Sequence, residues 1–342
     1  MLNKYIKHSY VFLIVLSGCY SNEYVPCKIP EYFITERDRS LNVDSVAVWH
    51  GENDQHWLVA TAKSTHNLPV YDAVTGELIK IIGEPGVKAG QFQRPNGIAI
   101  EDDLIFIVER DNKRLHILAL PDGNALGYTD ESMQRPYGLA VVVQEPYKKY
   151  IVYVTDNYGP VDQFYPKKVH QYAVERNGDD VNMQFIRTFG DDAGKGALWK
   201  LESIAVDPFH DRLFIADEHE QQKNVKIYTL DGEFTGQTIG DGLIEYEPEG
   251  IALYETTPEH GYVIVTDQDR DGNQFYLFNR SSLVSIKAFK GASVCNTDGI
   301  AITNRSFGPF KSGAFYAVHD DGNICAYDWH LLATLCGLGE KK

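Results

Sequence analysis

The chain has 342 residues and a mass of 38.6 kDa, with 43% hydrophobic and 23% charged residues, a globular balance with room for two ordinary domains or one large repeat fold. Asp and Glu number 48 against 32 Lys and Arg, a net charge of −16, which excludes a general nucleic-acid binder with its basic footprint. No apolar run reaches the roughly 20 residues of a membrane-spanning helix, while 21 Tyr, 16 Phe, 29 Gly and 14 Pro favour a β-rich chain with frequent turns.

Residues 1–18 read as a signal peptide. Lys4, Lys7 and His8 form a basic start, and VFLIVLSG at 11–18 is a short apolar stretch. Leu16-Ser17-Gly18-Cys19 resembles a bacterial lipobox. That resemblance implies that Cys19 becomes the acylated N-terminus, with palmitate among its chains. It places a lipid-anchored protein on the periplasmic or outer surface of a bacterium, with 19–30 as a tether. The alternative is a plain secreted protein in which Cys19 is incidental. Export permits disulfides, and Cys27, Cys295, Cys325 and Cys336 allow three pairings. Cys325 with Cys336 is plausible from proximity in sequence. The spacing fits no zinc pattern, so these cysteines are structural or free.

The strand-like EYFITE at 31–36 precedes a repeat that accounts for the rest of the chain. A short motif recurs at Asp44-Ser-Val-Ala-Val, Asn96-Gly-Ile-Ala-Ile, Tyr137-Gly-Leu-Ala-Val, Glu202-Ser-Ile-Ala-Val, Glu249-Gly-Ile-Ala-Leu and Asp298-Gly-Ile-Ala-Ile. A second apolar run follows each: WLVATAK, IFIVERD, VYVTDN, LFIADE, VIVTDQ and FYAVHD. A third, and usually a fourth, comes next. Apolar runs of about five residues bounded by Gly, Asp and Asn are strands, and four strands per unit of about 40–65 residues describe propeller blades. The expected fold is an all-β, six-bladed β-propeller of four-stranded antiparallel blades over 31–336, with 337–342 as a tail. EYFITE would complete the last blade and remove an open sheet edge. A β-sandwich or two β domains is the competing architecture. No amphipathic helix of useful length is expected.

Equivalent repeat positions take equivalent places around a central channel. The residue opening each first strand forms one ring: Asp44, Asn96, Tyr137, Glu202, Glu249 and Asp298. The residue ending each second strand forms another: Lys63, Arg110, Asn157, Glu218, Gln268 and Asp320. The rings are polarised. Units one and two offer Lys63 and Arg110; units four to six offer Glu202, Glu218, Glu247, Glu249, Gln268, Asp298 and Asp320. Carboxylates crowded at one mouth repel and raise one another's pKa values. Calcium, which takes 6–8 oxygen ligands, relieves that repulsion, and the scarcity of His and Cys argues against zinc or copper. Asp at strand ends also commonly binds turn amides, which is the structural alternative for any one of them. Asp267-Gln-Asp269-Arg-Asp271-Gly272 matches the start of an EF-hand loop, but position twelve is Phe278 and a hairpin turn is the simpler reading. His210, His219 and His319 read as surface or packing residues.

Several stretches resemble the β-propeller phytases, calcium-dependent phosphatases of inositol hexakisphosphate: Leu201-Glu202-Ser-Ile-Ala-Val through Asp217-Glu218, Glu247-Pro-Glu249-Gly250-Ile, Gly261 through Gln268, and Asn296-Thr-Asp298-Gly299-Ile. The resemblance spans about 44–330 and is stronger in the second half. It implies several calcium ions held by Glu202, Glu218, Glu247, Glu249, Gln268 and Asp298, with Asp44 and Asp320 completing the acidic ring. Lys63, Arg110 and Tyr137 would contact substrate phosphates while a cation-activated water attacks phosphorus. Ser64 and Asn157 stand where the family has further lysines, implying weaker affinity or a less phosphorylated substrate. The implied protein is a 3-phytase-like phosphoric monoester hydrolase, expected as a monomer, acting on a phosphorylated small molecule. In the first half, Gly90-Gln-Phe-Gln-Arg-Pro95-Asn-Gly97-Ile-Ala-Ile resembles an NHL repeat. That likeness keeps two alternatives open: a non-catalytic surface propeller binding a protein or glycan, or a lactonase-type hydrolase.

Overall fold

A computed structural model describes residues 25–130, 133–159 and 166–339; the lipobox and Cys19 lie outside the described residues. Six sheets are arranged as blades, each running from an inner to an outer strand. The inner strands are Val43–His50, Pro95–Glu101, Pro136–Gln144, Leu201–Asp207, Glu247–Glu255 and Ile300–Thr303. Each touches the next, and the sixth touches the first, so the ring is closed. This is a six-bladed β-propeller of mostly four-stranded antiparallel blades.

The core lies between blades. Each of six buried apolar clusters takes its members from two adjacent blades, because a sheet with two apolar faces must cover both. The glycine of the recurring motif sets how closely inner strands approach. A Cβ on Gly97 would lie 2.5 Å from the Tyr137 carbonyl oxygen, and one on Gly138 the same distance from that of Glu202. Thr61 Oγ1 ties adjoining blades by donating to the Asn96 carbonyl at 2.6 Å, and Thr155 Oγ1 does the same to the Glu202 carbonyl at 2.9 Å.

Closure uses the N-terminal segment. Phe33–Ile34 pairs antiparallel with Asn323–Asp328 and supplies the sixth blade's fourth strand. Residues 27–29, within the stretch expected as tether, form the strand Cys27–Ile29, which pairs parallel with Phe289–Gly291 as a fifth strand of blade five. The chain also ends differently from expectation. Asp328 caps a short helix, Trp329–Cys336, by accepting from the His330 amide, and Gly337 ends it in the left-handed conformation. Trp329 stacks on Tyr254 with ring centroids 4.0 Å apart. Eight residues are too few for a sequence periodicity to declare themselves helical.

Candidate metal centre and anion-binding cavity

The inner strands deliver their opening residues to the channel through a shared irregularity. In blades one to five the pairing register slips across the motif: Val43 and Val46, for example, pair with Ala62 and Ala60, leaving Asp44 and Ser45 outside the ladder. Such a bulge re-aims side chains. The second ring is brought to the same end by backbone bonds. The amides of Lys63, Arg110, Asn157 and Glu218 donate to the carbonyls of Asn42, Arg94, Arg135 and Lys200, each two residues before a first-ring residue.

A carboxylate beside the ring position steadies this end of the blade. Asp156 accepts from the amides of Gln134 and Arg135, Asp217 from Trp199 and Lys200, and Asp267 from Glu245 and Tyr246. These residues, one position before Asn157, Glu218 and Gln268, take the turn-binding role that strand-end acids commonly have. Asp217 is wholly buried and pairs with the equally buried Lys226 at 2.6 Å. Asp267 thereby leaves the EF-hand-like reading. In that loop, Asp269 Oδ1 accepts from the Asp271 amide and the Asp269 amide donates to Asn273, as a hairpin turn would.

The result is a cavity of about 270 Å³ at the channel mouth, lined on one side by Asp44, Glu202, Glu218, Glu249 and Asp298. Glu202, Glu218 and Glu249 converge so that one oxygen from each lies within 4.8 Å of the others. This acidic cluster could hold a metal ion. Burial, and then the neighbouring Glu249 and Glu218, push the Glu202 carboxyl well above the usual carboxylate range. Burial, Glu218 and Asp298 do the same to Glu249. Glu202 and Glu218 act directly on each other across this short separation. Glu218 is raised chiefly by burial, against the opposing pull of Glu202 and of Lys200, whose Nζ lies 2.7 Å away. Three converging carboxylates that burial and mutual repulsion push upward, with oxygen donors only, are a set that a hard divalent cation would relieve.

Lys63 sits inside the acidic sector. Its Nζ lies 2.8 Å from Asp44 Oδ1 and 2.9 Å from Asp298 Oδ2. Burial opposes its charge, yet the two aspartates hold its pKa above the ordinary lysine value. Burial lifts Asp298 to about 6 even though Lys63 pulls it down. Gln268 donates to Asp298 at 2.6 Å. Glu247 stands at the half-exposed rim, 3.8 Å from Lys200. Arg110 is bound to Asp111 and to the Tyr137 hydroxyl. Burial, followed by Glu202 and Asp44, raises the Tyr137 phenol. Asp320 is not among the cavity's lining residues: Arg37 and Arg39 both engage it and tie the N-terminal segment to blade six. Asn157 clamps Leu201 through both its amide atoms, at 2.6 and 3.0 Å, and Ser64 bonds the Leu41 carbonyl through its amide.

Three cations facing the cavity were not anticipated: Arg135, Lys167 and Lys200. Arg135 and Lys200 stand two residues before Tyr137 and Glu202, as Glu247 does before Glu249, so they belong to a third repeat position whose signal was present. Lys167 lies in the long stretch around 157–168 that separates the second and third strands of unit three and has no repeat phase. Burial and then the nearby Arg135 lower its pKa, so two cations lie close together in the lining of the cavity that holds the glutamates. His219 also lines the cavity, beside Trp199, whereas His210 bonds Asp207 and His319 accepts from the Cys295 amide.

No protein-family model and no curated protein matches this chain.

Proposed function

We propose that this cavity is the active site of a calcium-dependent phosphomonoester hydrolase acting on a small organic phosphate such as inositol hexakisphosphate. The observation that carries the reading is that converging Glu202, Glu218 and Glu249 share one cavity with the cations Arg135 and Lys167, while Lys200 is paired with Glu218. A substrate carrying several negative charges cannot approach a chain of net charge −16 without local reversal of the field. When bound, a divalent cation would polarise the phosphoryl oxygens and lower the pKa of a nearby water.

The chain's own residues do the rest. Glu202, Glu218 and Glu249 hold the cation, with Asp298, Gln268 and Glu247 as neighbouring oxygen donors. Lys63 bridges Asp44 and Asp298 and offsets part of their charge, so it shapes the acidic sector rather than reaching for phosphate. Arg135 and Lys167 take up the role for which Ser64 and Asn157 lack the side chains, while Lys200 is paired with Glu218. Tyr137, kept neutral by its surroundings and oriented by Arg110, donates a hydroxyl to an anionic oxygen. Preorganised donors of this kind stabilise charge on a transferring phosphoryl group. The resemblance to β-propeller phytases supports the same chemistry, and the lipobox-like start supports a surface-anchored enzyme.

Phosphate release from phytate and from simple phosphomonoesters, measured across calcium concentrations, tests the proposal. Release that needs calcium, stops with chelator and is lost in Glu249→Gln supports it. Intact release in that variant, or none at any calcium level, overturns it and leaves a binding scaffold.

A further inference from the structure

All four described cysteines are free thiols, and the fold does not bring them together as their order along the chain suggests. Cys325 is fully buried in a middle strand of blade six. Cys336, its nearest neighbour in sequence, is the last residue of the C-terminal helix. That helix packs on the strand Cys27–Ile29, which brings Cys336 and Cys27 into the same packed region. Cys336 belongs to the apolar cluster between blades five and six, and Cys27 packs against it. Cys295 is elsewhere, with its sulfur 3.7 Å from His319 Nδ1.

We propose that Cys27 and Cys336 form a disulfide that fastens the N-terminal strap to the C-terminal helix across the closing blades. The strap is held to the blades by three residue pairs with Phe289–Gly291, two with Asn323–Asp328 and the contacts of Arg37 and Arg39 with Asp320, and none of these fastens it to the C-terminal helix. A bond here joins two segments that meet only when the ring is shut. Its loop takes in nearly the whole chain, and long loops gain most from a cross-link in the chain-entropy description.

The chemistry is thiol–disulfide exchange with a small disulfide oxidant such as oxidised glutathione. Cys27 is partly exposed and Cys336 is buried, so the Cys27 thiolate attacks the oxidant first. One glutathione leaves as thiolate, and a mixed disulfide forms. The Cys336 thiolate then attacks the Cys27 sulfur and expels the second glutathione. Two protein thiols are oxidised, one disulfide is reduced to two thiols, and both protons go to solvent or to the departing glutathiones. Burial, and then the contact with Cys27, push the Cys336 thiol up, so the second step quickens as pH rises.

The proposal is independent of the hydrolase reading. The test incubates the purified full chain with oxidised glutathione, blocks remaining thiols and digests after aromatic residues. Those cuts separate Cys19, Cys27, Cys325 and Cys336 from one another. A cross-linked peptide pair carrying Cys27 and Cys336, lighter than its parts by two hydrogens, is expected. Thermal melting supplies the second measurement. The oxidised protein should melt higher than the reduced one, and Cys27→Ser and Cys336→Ser should each melt alike with and without reductant. Blocked thiols at both positions, linkage of Cys27 to Cys295 or Cys325, or a melt indifferent to reductant would each overturn the clamp.

Discussion

Glu249 combines burial with repulsion from Glu218, Asp298 and Glu247, and its ionised form is correspondingly costly, by about 1.4 kcal/mol for each pKa unit of elevation. A carboxyl whose folded pKa is raised adds no penalty below the unfolded value near 4.5. It destabilises progressively as pH climbs from there through the folded value. Glu249→Gln should therefore be more stable than the parent in chelator at pH 8, by on the order of 1–3 kcal/mol, and nearly equal to it at pH 4. Calcium should raise the melting temperature of the parent but not of the variant. Urea unfolding at the two pH values, with and without calcium, measures all of this. Asp320 supplies the contrast. Its partners are Arg37 and Arg39 in a part-exposed setting, where such pairs contribute about 0–1 kcal/mol. Asp320→Asn should leave calcium affinity within about 2-fold of the parent by titration calorimetry, and a loss like that of Glu249→Gln would place Asp320 in the metal centre after all.

At the scale of the strand, the acids that do not face the cavity matter as much as those that do. Asp217 ends the second strand of blade four, receives the amides of Trp199 and Lys200, and meets Lys226 with neither side chain exposed. Removing one partner of such a pair leaves a buried charge alone. Asp217→Ala and Lys226→Ala should each cost about 3–5 kcal/mol in chemical denaturation, and Asp217→Ala should also weaken calcium binding, because it releases the turn that carries Lys200 and leads into Glu202. The repeat made these strands legible: period, length and apolar content are local properties. Repeat phase put Glu218 of the pair Asp217-Glu218 in the ring, and it lines the cavity; what was not legible is the work of Asp217 on the other side of the strand, since only the fold says where the amides it receives lie. Lys226, an apparent charge in an apolar run, is explained by the same pairing.

For the whole molecule, the ring is held shut by segments from opposite ends of the chain. Removing residues up to 36 would expose the edge of Asn323–Asp328, a template for pairing with another chain. The truncated protein should melt lower by on the order of 5 °C or more and form aggregates visible by light scattering. A truncated chain that melts like the parent would show that the inter-blade cores alone keep the ring closed.

Composition, the six-fold motif and the alternation of strand with turn determined the all-β propeller, the number of blades and the closing role of residues 33–34, because each is a pattern repeated along the chain. The two ring positions were likewise readable from repeat phase, and with them the acidity of units four to six. Tertiary structure alone decided that Lys63 is spent on Asp44 and Asp298, that Asp320 faces two arginines, that Lys167 faces the cavity, and that Cys27 meets Cys336. Apart from Asp44, 19 positions before Lys63, each of those outcomes is set by a partner 235 to 309 positions away or by an insert outside the repeat. Charge pairing and burial depend on what arrives across space, and a linear pattern carries no record of that.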